Sequence, residues 1–393
     1  MDQKIETTGA LTVPRMTMSA DIIVAGAGAA GTATAAVLGR QGLRVILIDP
    51  RSHCAPIFKA EKIVGANILL LRKLGLLGAL VPSSGRVREV QFAYNGRVFR
   101  TTSLNEEEYS LRYEEIVNAF RKDLPSTVTF RTGHVQEITS GADIQRVKLL
   151  DGEDLTSRLI VLACGMSHKL QTSLGLRRRV IQKDQCVILG FMIAAGNGKP
   201  FAFDAMTYYP TTSADRIDYL TLFNFRQATR GNLFVFRPAG DSWIRRFLRE
   251  PDRMLRQSFP KLERVIGAYH VAGPVETASV DHYAMDGDRP PGVVVIGDAF
   301  QSACPATGLG MIKLLTDVDV LSECVPSWLA THGMGADKLS GFYNHPRKRV
   351  MDADSIQAAL YQRRAVLDDS LRWRLRRFRL RLKWRLESWK RNT

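Results

Sequence analysis

The chain has 393 residues, of which 45% are hydrophobic and 24% are charged, so it is long enough for two domains with sizeable cores. This composition excludes a disordered or fibrous protein, and because no run of 18 apolar residues is present we expect no ordinary membrane-spanning helix. The formal net charge is +16, but residues 363–391 alone carry twelve Lys or Arg against three acidic residues. We therefore expect an ordinary surface charge over the remaining chain.

The N-terminus and the cysteines indicate the cellular setting. Residues 1–20 contain two acidic residues and no apolar core segment, so they do not resemble a secretory signal and are expected to form a flexible extension. The five cysteines lack the spacing of a disulfide framework or a zinc site. We therefore expect a cytoplasmic protein without a metal centre.

Residues 21–49 predict one dinucleotide-binding βαβ unit. An apolar strand is followed by Gly26, Gly28 and Gly31 in the spacing G-x-G-x-x-G, an Ala-rich helix and a second strand that ends in Asp49. The first glycine allows a tight turn, the second lets a pyrophosphate approach, and the third lets the helix pack on the strand. We expect the pyrophosphate at the helix N-terminus and Asp49 on an adenosine ribose.

Two further regions predict β-sheet. Residues 88–103 have the pattern of a hairpin with Asn95 and Gly96 at its tip, and residues 186–238 are rich in β-branched and aromatic residues. Most of these bulky side chains are expected to serve packing, but some should line a cavity suited to a lipophilic or aromatic substrate.

Residues 292–317 predict a second nucleotide-binding element, in which a buried strand runs into a loop of small residues and then a helix. The motif residues are Gly297, Asp298, Pro305, Gly308, Leu309, Gly310 and Asp317. This pattern resembles the Gly-Asp motif of FAD-dependent monooxygenases of the para-hydroxybenzoate hydroxylase family. The resemblance implies that Asp298 binds the ribityl chain of FAD and that the loop and helix start face the pyrimidine end of the flavin.

Weaker matches to the same family lie between the two motifs. Glu61 and Arg112 occupy positions where relatives place residues near the FAD, although either could be a surface charge. The Ala-Asp-Gly mark of the family is replaced here by Ala163, Cys164 and Gly165. The resemblance implies NAD(P)H as the reductant, but the loss of this aspartate leaves a partner reductase as an alternative.

The sequence thus predicts an α/β protein with a Rossmann-type FAD/NAD(P)-binding domain, an inserted β-sheet substrate domain and a C-terminal helical tail. We expect the FAD-binding domain to comprise residues 21–84, 110–175 and 276–330. Residues 85–109 and 176–275 are expected to form the substrate domain, and residues 331–393 the C-terminal helical region.

The resemblance implies a flavin-dependent monooxygenase that inserts one oxygen atom from O2 into a lipophilic or aromatic small molecule through C4a-hydroperoxyflavin. Because the cofactor carries the difficult step, no catalytic side chain is nominated. One alternative is an FAD-dependent dehydrogenase or reductase of a lipid-like substrate, without oxygen insertion. Others are a flavin halogenase, whose Trp-x-Trp signature this chain lacks, and a non-enzymatic membrane adaptor.

Residues 370–391 predict a basic amphipathic helix. Its apolar stripe comprises Leu371, Leu375, Phe378, Leu382, Leu386 and Trp389. Arginines flank this stripe, and two further tryptophans, Trp373 and Trp384, lie on another side of the helix. Such a helix is typical of the interface of an anionic membrane, so we expect peripheral attachment. The alternatives are docking of the stripe onto the protein body, and contact with nucleic acid or an acidic protein. No nucleic-acid-binding fold accompanies the tail, and we expect no nucleic acid partner.

Overall fold

A computed structural model of the chain describes residues 18–57, 60–225 and 228–390, with the backbone alone at 18–19, 60–61 and 105–107. The expected N-terminal extension falls largely outside these ranges. The first strand begins at Met18, three residues earlier than expected, and Met18 pairs with Leu155 in a parallel ladder.

The strands of the described ranges, in chain order, are β1 (Met18–Ala25), β2 (Val45–Asp49), β3 (Ala60–Ile63), β4 (Gly85–Tyr94), β5 (Arg97–Arg112), β6 (Val128–Thr132), β7 (Val135–Thr139), β8 (Gln145–Leu149), β9 (Asp154–Leu162), β10 (Arg177–Ala195), β11 (Ala205–Tyr209), β12 (Ile217–Phe225), β13 (Ala228–Val235), β14 (Tyr269–Asp286) and β15 (Val293–Val295). The α-helices are α1 (Ala29–Arg40), α2 (Gly65–Lys73), α3 (Leu77–Leu80), α4 (Tyr113–Lys122), α5 (Lys169–Ser173), α6 (Ser242–Arg249), α7 (Pro251–Ser258), α8 (Glu263–Ile266), α9 (Gly310–Leu329), α10 (Ala336–Tyr343), α11 (Pro346–Leu367) and α12 (Leu371–Lys390).

The smaller sheet contains the predicted βαβ unit and has the strand order β6-β2-β1-β9-β8-β7, with β15 paired to the second half of β9. Its central strands are continuous apolar runs, as expected for parallel strands that are covered on both faces. α1 packs Ala35 and Leu38 toward this sheet, while Ala33, Ala36 and Val37 contact the apolar cluster shared with α2 and α9.

The larger sheet has the strand order β14-β10-β13-β12-β11-β4-β5-β3. β4 and β5 pair around Asn95 and Gly96, which have φ values of 51° and 81°, so the predicted hairpin is confirmed. Alternate residues of β10 face opposite sides, because Leu189 and Phe191 pack with α6 and α7 whereas Cys186 and Ile188 face α11. This second side of the sheet is the one that meets the Pro-x-x-Gly-x-Gly loop.

The larger sheet extends beyond the expected substrate domain. β3 and the second half of β14 belong to it, although the sequence placed residues 60–63 and 276–286 with the FAD-binding part. The reason is the length of the strands, since β14 has 18 residues and pairs with β10 along almost its entire course.

The helices α2 and α3 pack their apolar side chains against α1, α4 and α9. Within the described residues no single helix is both long and apolar enough to cross a bilayer, but the bent pair Gly65–Lys73 and Leu77–Ser83 meets that criterion jointly.

Candidate functional site

The turn after β1 requires glycine at two positions. Gly26 has a φ of 104°, and a Cβ there would lie 2.6 Å from the carbonyl oxygen of Ala163 at the end of β9. A Cβ on Gly31 would lie 1.8 Å from the carbonyl oxygen of Gly26. Both positions therefore exclude a side chain, which is what the fingerprint predicts for the turn and for helix packing.

Gly28 precedes α1 and faces α4. A Cβ on Gly28 would lie 3.1 Å from Tyr113 Oη, which accepts a hydrogen bond of 3.1 Å from the Ala29 N–H. Gly28, the N-cap residue of α1, has no side chain with which to cap the helix, and the first turn contains no acid. The positive end of the helix dipole therefore faces a narrow cradle that suits an anionic group such as a pyrophosphate.

Asp49 lies beside this cradle at the end of β2. Its Oδ2 accepts a 2.9 Å hydrogen bond from the Ala27 N–H, and its Oδ1 accepts one of 3.0 Å from the Arg51 N–H. Arg121 of α4 donates 2.6 Å and 2.8 Å hydrogen bonds to the carbonyl oxygens of Ala27 and Arg51. The guanidinium of Arg121 is mostly buried. It therefore links the loop that follows β1 to the loop that follows β2.

The second motif meets the first at Gly297. A Cβ on Gly297 would lie 3.2 Å from Cβ of Ala30 in the first turn of α1. Gly297 has a φ of 60°, and its N–H donates a 2.8 Å hydrogen bond to Oδ2 of Asp317. The two glycine motifs, more than 260 positions apart in the chain, thus form one continuous site.

Asp298 follows at this junction and is half buried. Its carbonyl oxygen accepts a 2.8 Å hydrogen bond from Tyr283 Oη, and its carboxylate accepts a long one of 3.5 Å from the Ala303 N–H. The guanidinium of Arg178 lies 4.1 Å above the ring of Tyr283. These contacts fix the backbone of Asp298 and leave its carboxylate at the surface of the site.

The Pro-x-x-Gly-x-Gly loop links this junction to the larger sheet. Residues Pro305–Thr307 form a single 3-10 turn, and Gly308 with a φ of 68° redirects the chain into α9, which begins at Gly310. Tyr219 Oη of β12 donates a 2.6 Å hydrogen bond to the carbonyl oxygen of Ala306. The loop is therefore held between the start of α9 and the aromatic face of the sheet.

A buried ion cluster supports the neighbouring Gly-Asp turn through Asp317, and the sequence did not predict it. It consists of Lys313, Asp317, Lys348 and Asp352. Asp317 lies 2.7 Å from Lys348 Nζ and 3.6 Å from Lys313 Nζ, and Asp352 lies within 3.2 Å of both ammonium groups. Burial alone would raise the pKa of Asp317, but the two lysines outweigh it and hold that pKa below its ordinary value.

Two cysteine thiols lie behind the loop. Cys304 and Cys186 are fully buried, and Gln185 Nε2 donates a 3.6 Å hydrogen bond to Cys304 Sγ. A hydrogen bond from Cys186 lowers the pKa of the Cys304 thiol to about 7, although burial opposes the change. Burial raises the pKa of the neighbouring Asp218 carboxyl well above its ordinary value. Behind the loop, the pKa of the Cys304 thiol is thus lowered while that of the Asp218 carboxyl is raised.

The two weaker sequence candidates, Glu61 and Arg112, lie in β3 and at the end of β5. The guanidinium of Arg112 is half exposed and forms ion pairs with Glu114 at 3.2 Å and Glu115 at 3.3 Å at the start of α4. The backbone of Glu61 pairs with Leu111 in β3, while its side chain lies outside the described atoms. A contact of either side chain with a cofactor remains a prediction.

Tyr113 and Arg121 are site residues that the sequence analysis missed. Both lie on α4, about two helical turns apart, and both reach the glycine turn. Their only sequence signal is that spacing, which places them on neighbouring faces of one helix directly after Arg112. Their partners lie more than 80 positions earlier in the chain, so local patterns could not reveal the contacts.

Comparisons with known proteins agree with this geometry. The sequence matches the family described as FAD binding domain over residues 19–353. Digeranylgeranylglycerophospholipid reductase from Methanocella arvoryzae is 24% identical over 348 residues, which cover 82% of this chain and 81% of that protein. The solved structure of p-nitrophenol 4-monooxygenase PnpA from Pseudomonas putida DLL-E4 has a TM-score of 0.73 at 18% identity over 92% of each chain. Klebsiella pneumoniae HpxO, solved with FAD and uric acid, has a TM-score of 0.71 at 17% identity over 95% of this chain and 94% of its own.

The chain therefore belongs to the FAD binding domain family, since the match covers most of its length. It is an FAD-dependent oxidoreductase, and the predicted fold class and family resemblance are both confirmed. The residues present fit this cofactor, because the cradle at Gly28 offers a helix N-terminus without an acidic side chain to an anionic group and a Cβ there would narrow the cradle further.

Proposed function

We propose that this protein inserts one oxygen atom from O2 into a lipophilic or aromatic small molecule. The observation that carries the proposal is the convergence of both glycine motifs where the Pro-x-x-Gly-x-Gly loop meets the aromatic side of the larger sheet. FAD, when bound and reduced, would supply the oxygen chemistry, as the resemblance to para-hydroxybenzoate hydroxylases implies.

The protein's own part in this chemistry is binding, orientation and exclusion of water. The start of α1 would hold the pyrophosphate and Asp49 the adenosine ribose, while Asp298 would accept hydrogen bonds from the ribityl chain. The N–H groups at the start of α9, from Gly308 to Gly310, would face the pyrimidine end of the ring. The apolar side of β10, β12 and β13 would line the substrate site and exclude water from it.

An isotope experiment tests the proposal. The purified protein is supplied with reductant, oxygen-18 gas and a panel of lipophilic and aromatic compounds, and products are analysed by mass spectrometry. We expect a product that carries one oxygen-18 atom and forms in proportion to the O2 consumed. A product of unchanged oxygen content would contradict oxygen insertion.

The second candidate is a reductase or dehydrogenase of a lipid-like substrate. It is favoured by the similarity to the Methanocella reductase, which extends over most of both chains. Such an enzyme would convert its substrate without O2, so the same panel under anaerobic conditions distinguishes the two reactions. Products that differ only in hydrogen content would favour this candidate.

The source of electrons is proposed to be NAD(P)H, with a partner reductase as the alternative. Cys164 replaces the aspartate of the family's Ala-Asp-Gly mark, and its thiol donates only a 3.3 Å hydrogen bond to the Ser167 carbonyl. Anaerobic mixing of the yellow protein with NADH or NADPH should bleach the flavin if the chain accepts hydride directly. Persistence of the yellow colour until a reductase is added would establish the alternative.

We propose further that α12 attaches the protein peripherally to an anionic membrane, at the cytoplasmic surface. The residues of the apolar stripe are between 44% and 70% exposed, so the stripe is not packed onto the protein body. α12 also contains seven arginines and two lysines, which complement anionic headgroups. An exposed apolar face of this kind marks an interaction surface.

Vesicle flotation tests the attachment. Binding to vesicles of phosphatidylglycerol should exceed binding to phosphatidylcholine and should fall as salt rises, because screening shortens electrostatic reach to about 10 Å at 0.1 M ionic strength. The variant Phe378→Ser/Leu382→Ser should not float. If wild type stays with the unbound fraction and instead forms a dimer that this variant abolishes, the stripe binds a second copy and the membrane proposal is wrong.

A further inference from the structure

α12 presents two faces of different chemistry. The residues that face the protein body recur at helical spacing and form what we call the anchoring face: Trp373, Arg377, Arg381, Trp384 and Ser388. Arg377 Nη1 donates hydrogen bonds of 3.1 Å and 2.8 Å to the carbonyl oxygens of Ala365 and Asp368 at the end of α11. The apolar stripe lies on the other side of the helix and is exposed. The helix is thus oriented by polar and aromatic anchors rather than by its apolar stripe.

Trp384 is the anchor that packs against aromatic rings of the larger sheet. Its ring lies 4.5 Å from Tyr209 and 5.2 Å from Phe99, stacked on both, and 5.3 Å from Tyr94. The three partner rings come from β11, β5 and β4 and form a slot, called here the aromatic slot. An indole inserted between stacked rings occupies the space that a flat or branched apolar ligand would fill.

The aromatic slot continues toward the flavin loop. Tyr209 lies 6.2 Å from Tyr219, and Tyr219 lies 4.8 Å from Phe234. Tyr219 is the residue whose hydroxyl contacts the carbonyl oxygen of Ala306. A row of aromatic rings therefore connects the underside of α12 to the loop at which the two glycine motifs meet.

We propose that the aromatic slot is the binding site for the apolar portion of the substrate, which enters beneath α12 by displacing Trp384. This inference rests on the proposed function, because it assumes a lipophilic substrate that reaches the slot from the membrane to which the apolar stripe attaches. In this proposal the helix pivots at residues 368–370, the short connection between α11 and α12. The Trp384 ring then fills the slot and excludes water from it while substrate is absent.

Probe binding tests the slot directly. N-phenyl-1-naphthylamine, a neutral apolar dye that fluoresces when it leaves water, is titrated into wild type and into Trp384→Ala. Without the Trp384 side chain, nearly every protein molecule has an open slot. The apparent affinity for the dye should therefore rise by about tenfold or more. The matched control is Trp389→Ala, which removes an exposed tryptophan of the same helix and should bind the dye as wild type does. Equal binding by all three proteins would overturn the proposal.

Two further measurements locate the effect and cover a variant that fails to fold. In Trp384→Ala/Tyr209→Ala, which removes one wall of the slot, the gain should disappear; a retained gain would mean that the dye binds elsewhere. In wild type, saturating dye should speed hydrogen exchange in residues 371–390 but leave residues 346–360 unchanged. If exchange in α12 does not change although the dye binds, Trp384 is not displaced and the proposal is wrong.

The slot and the membrane attachment can fail separately. A protein in which Trp384→Ala gains dye binding but which never floats with anionic vesicles retains the slot and loses the membrane proposal. A protein that floats but shows no gain on Trp384→Ala retains the attachment and loses the slot.

Discussion

At the scale of single residues, the space available to one Cβ atom decides which positions of the glycine turn tolerate a side chain. Gly26 and Gly31 are needed by the turn itself, because an added Cβ would collide with main-chain oxygen atoms. Gly28 is different, since its φ of −73° suits any residue and the nearest atom to an added Cβ is the Tyr113 hydroxyl at 3.1 Å. A side chain at Gly28 would therefore block a ligand without straining the backbone.

We expect Gly28→Val to yield soluble, folded protein that has lost its flavin, because the isopropyl group enters the cradle at the start of α1. The measurement is the ratio of flavin to protein absorbance after purification, with a melting curve to establish folding. Gly78→Ala serves as the control, since an added Cβ at Gly78 meets no described atom within 4 Å. An unchanged flavin content in Gly28→Val would show that the cradle does not hold the pyrophosphate.

Cys304 poses a different question, because a buried thiol with a pKa of about 7 is either a packing residue or a reactive one. We expect Cys304→Ala to retain FAD and most turnover, with a loss of about 1 kcal/mol of stability for the missing sulfur. Turnover and flavin content are measured together, and Cys324→Ala is the matched control. Complete loss of turnover with flavin still bound would instead make the thiol a catalytic residue.

At the scale of elements, the buried ion cluster joins three parts of the site. Asp317 of α9 accepts a hydrogen bond from the Gly297 N–H and contacts Lys348 of α11, so one carboxylate fixes both the Gly-Asp turn and the helix that covers the loop. Two lysines and two aspartates balance in charge within this cluster. Removing one partner of a buried pair is costly because it leaves an uncompensated charge.

Asp317→Asn should lower the free energy of unfolding by about 3–5 kcal/mol at neutral pH, as measured by urea denaturation. The folded-state pKa of Asp317 lies below its ordinary value of 3.8, so its contribution is present above about pH 4 and is lost as the pH falls through the folded-state pKa. The difference in the free energy of unfolding between wild type and variant should therefore vanish in acid. The exposed Asp354→Asn on α11 is the control and should differ little from wild type at any pH. A gap that is small at neutral pH would contradict this role of the cluster.

At the scale of the whole molecule, the C-terminal region divides into two parts with different roles. α11 packs Ala359, Val366 and Leu367 against the cluster that contains Cys304, so it belongs to the wall of the site. α12 contributes the anchoring face but leaves its apolar stripe outside. The boundary between catalytic body and tail therefore lies at residues 368–370, later than the basic composition alone suggests.

Truncation after residue 370 should give a folded yellow protein that no longer floats with anionic vesicles. The cut removes ten Lys or Arg and one acidic residue but no residue of the two glycine motifs. Truncation after residue 365 should also lower the melting temperature, because it deletes Val366 and Leu367 from the wall of the site. If truncation after residue 370 already unfolds the protein or releases FAD, α12 is part of the body and does not serve as an attachment device.

The sequence by itself determined the features whose geometry is local to a short stretch of chain. The turn at Gly26, the redirecting Gly308 and the hairpin at Asn95 and Gly96 each require a backbone conformation that few residues adopt, so their motifs could be recognised without a structure. The same holds for the α/β fold class, because buried parallel strands are continuous apolar runs.

Only the tertiary structure decided which distant residues complete the site. The contact of Tyr113 with the glycine turn joins positions 84 apart, and the hydrogen bond from Gly297 to Asp317 gains its importance from Lys348 on another helix. Helical periodicity identified the apolar stripe but could not say which face of α12 meets the protein. The larger sheet decided that, because it offers Trp384 a slot of three aromatic rings, while Arg377 of the anchoring face donates hydrogen bonds to carbonyl groups at the end of α11.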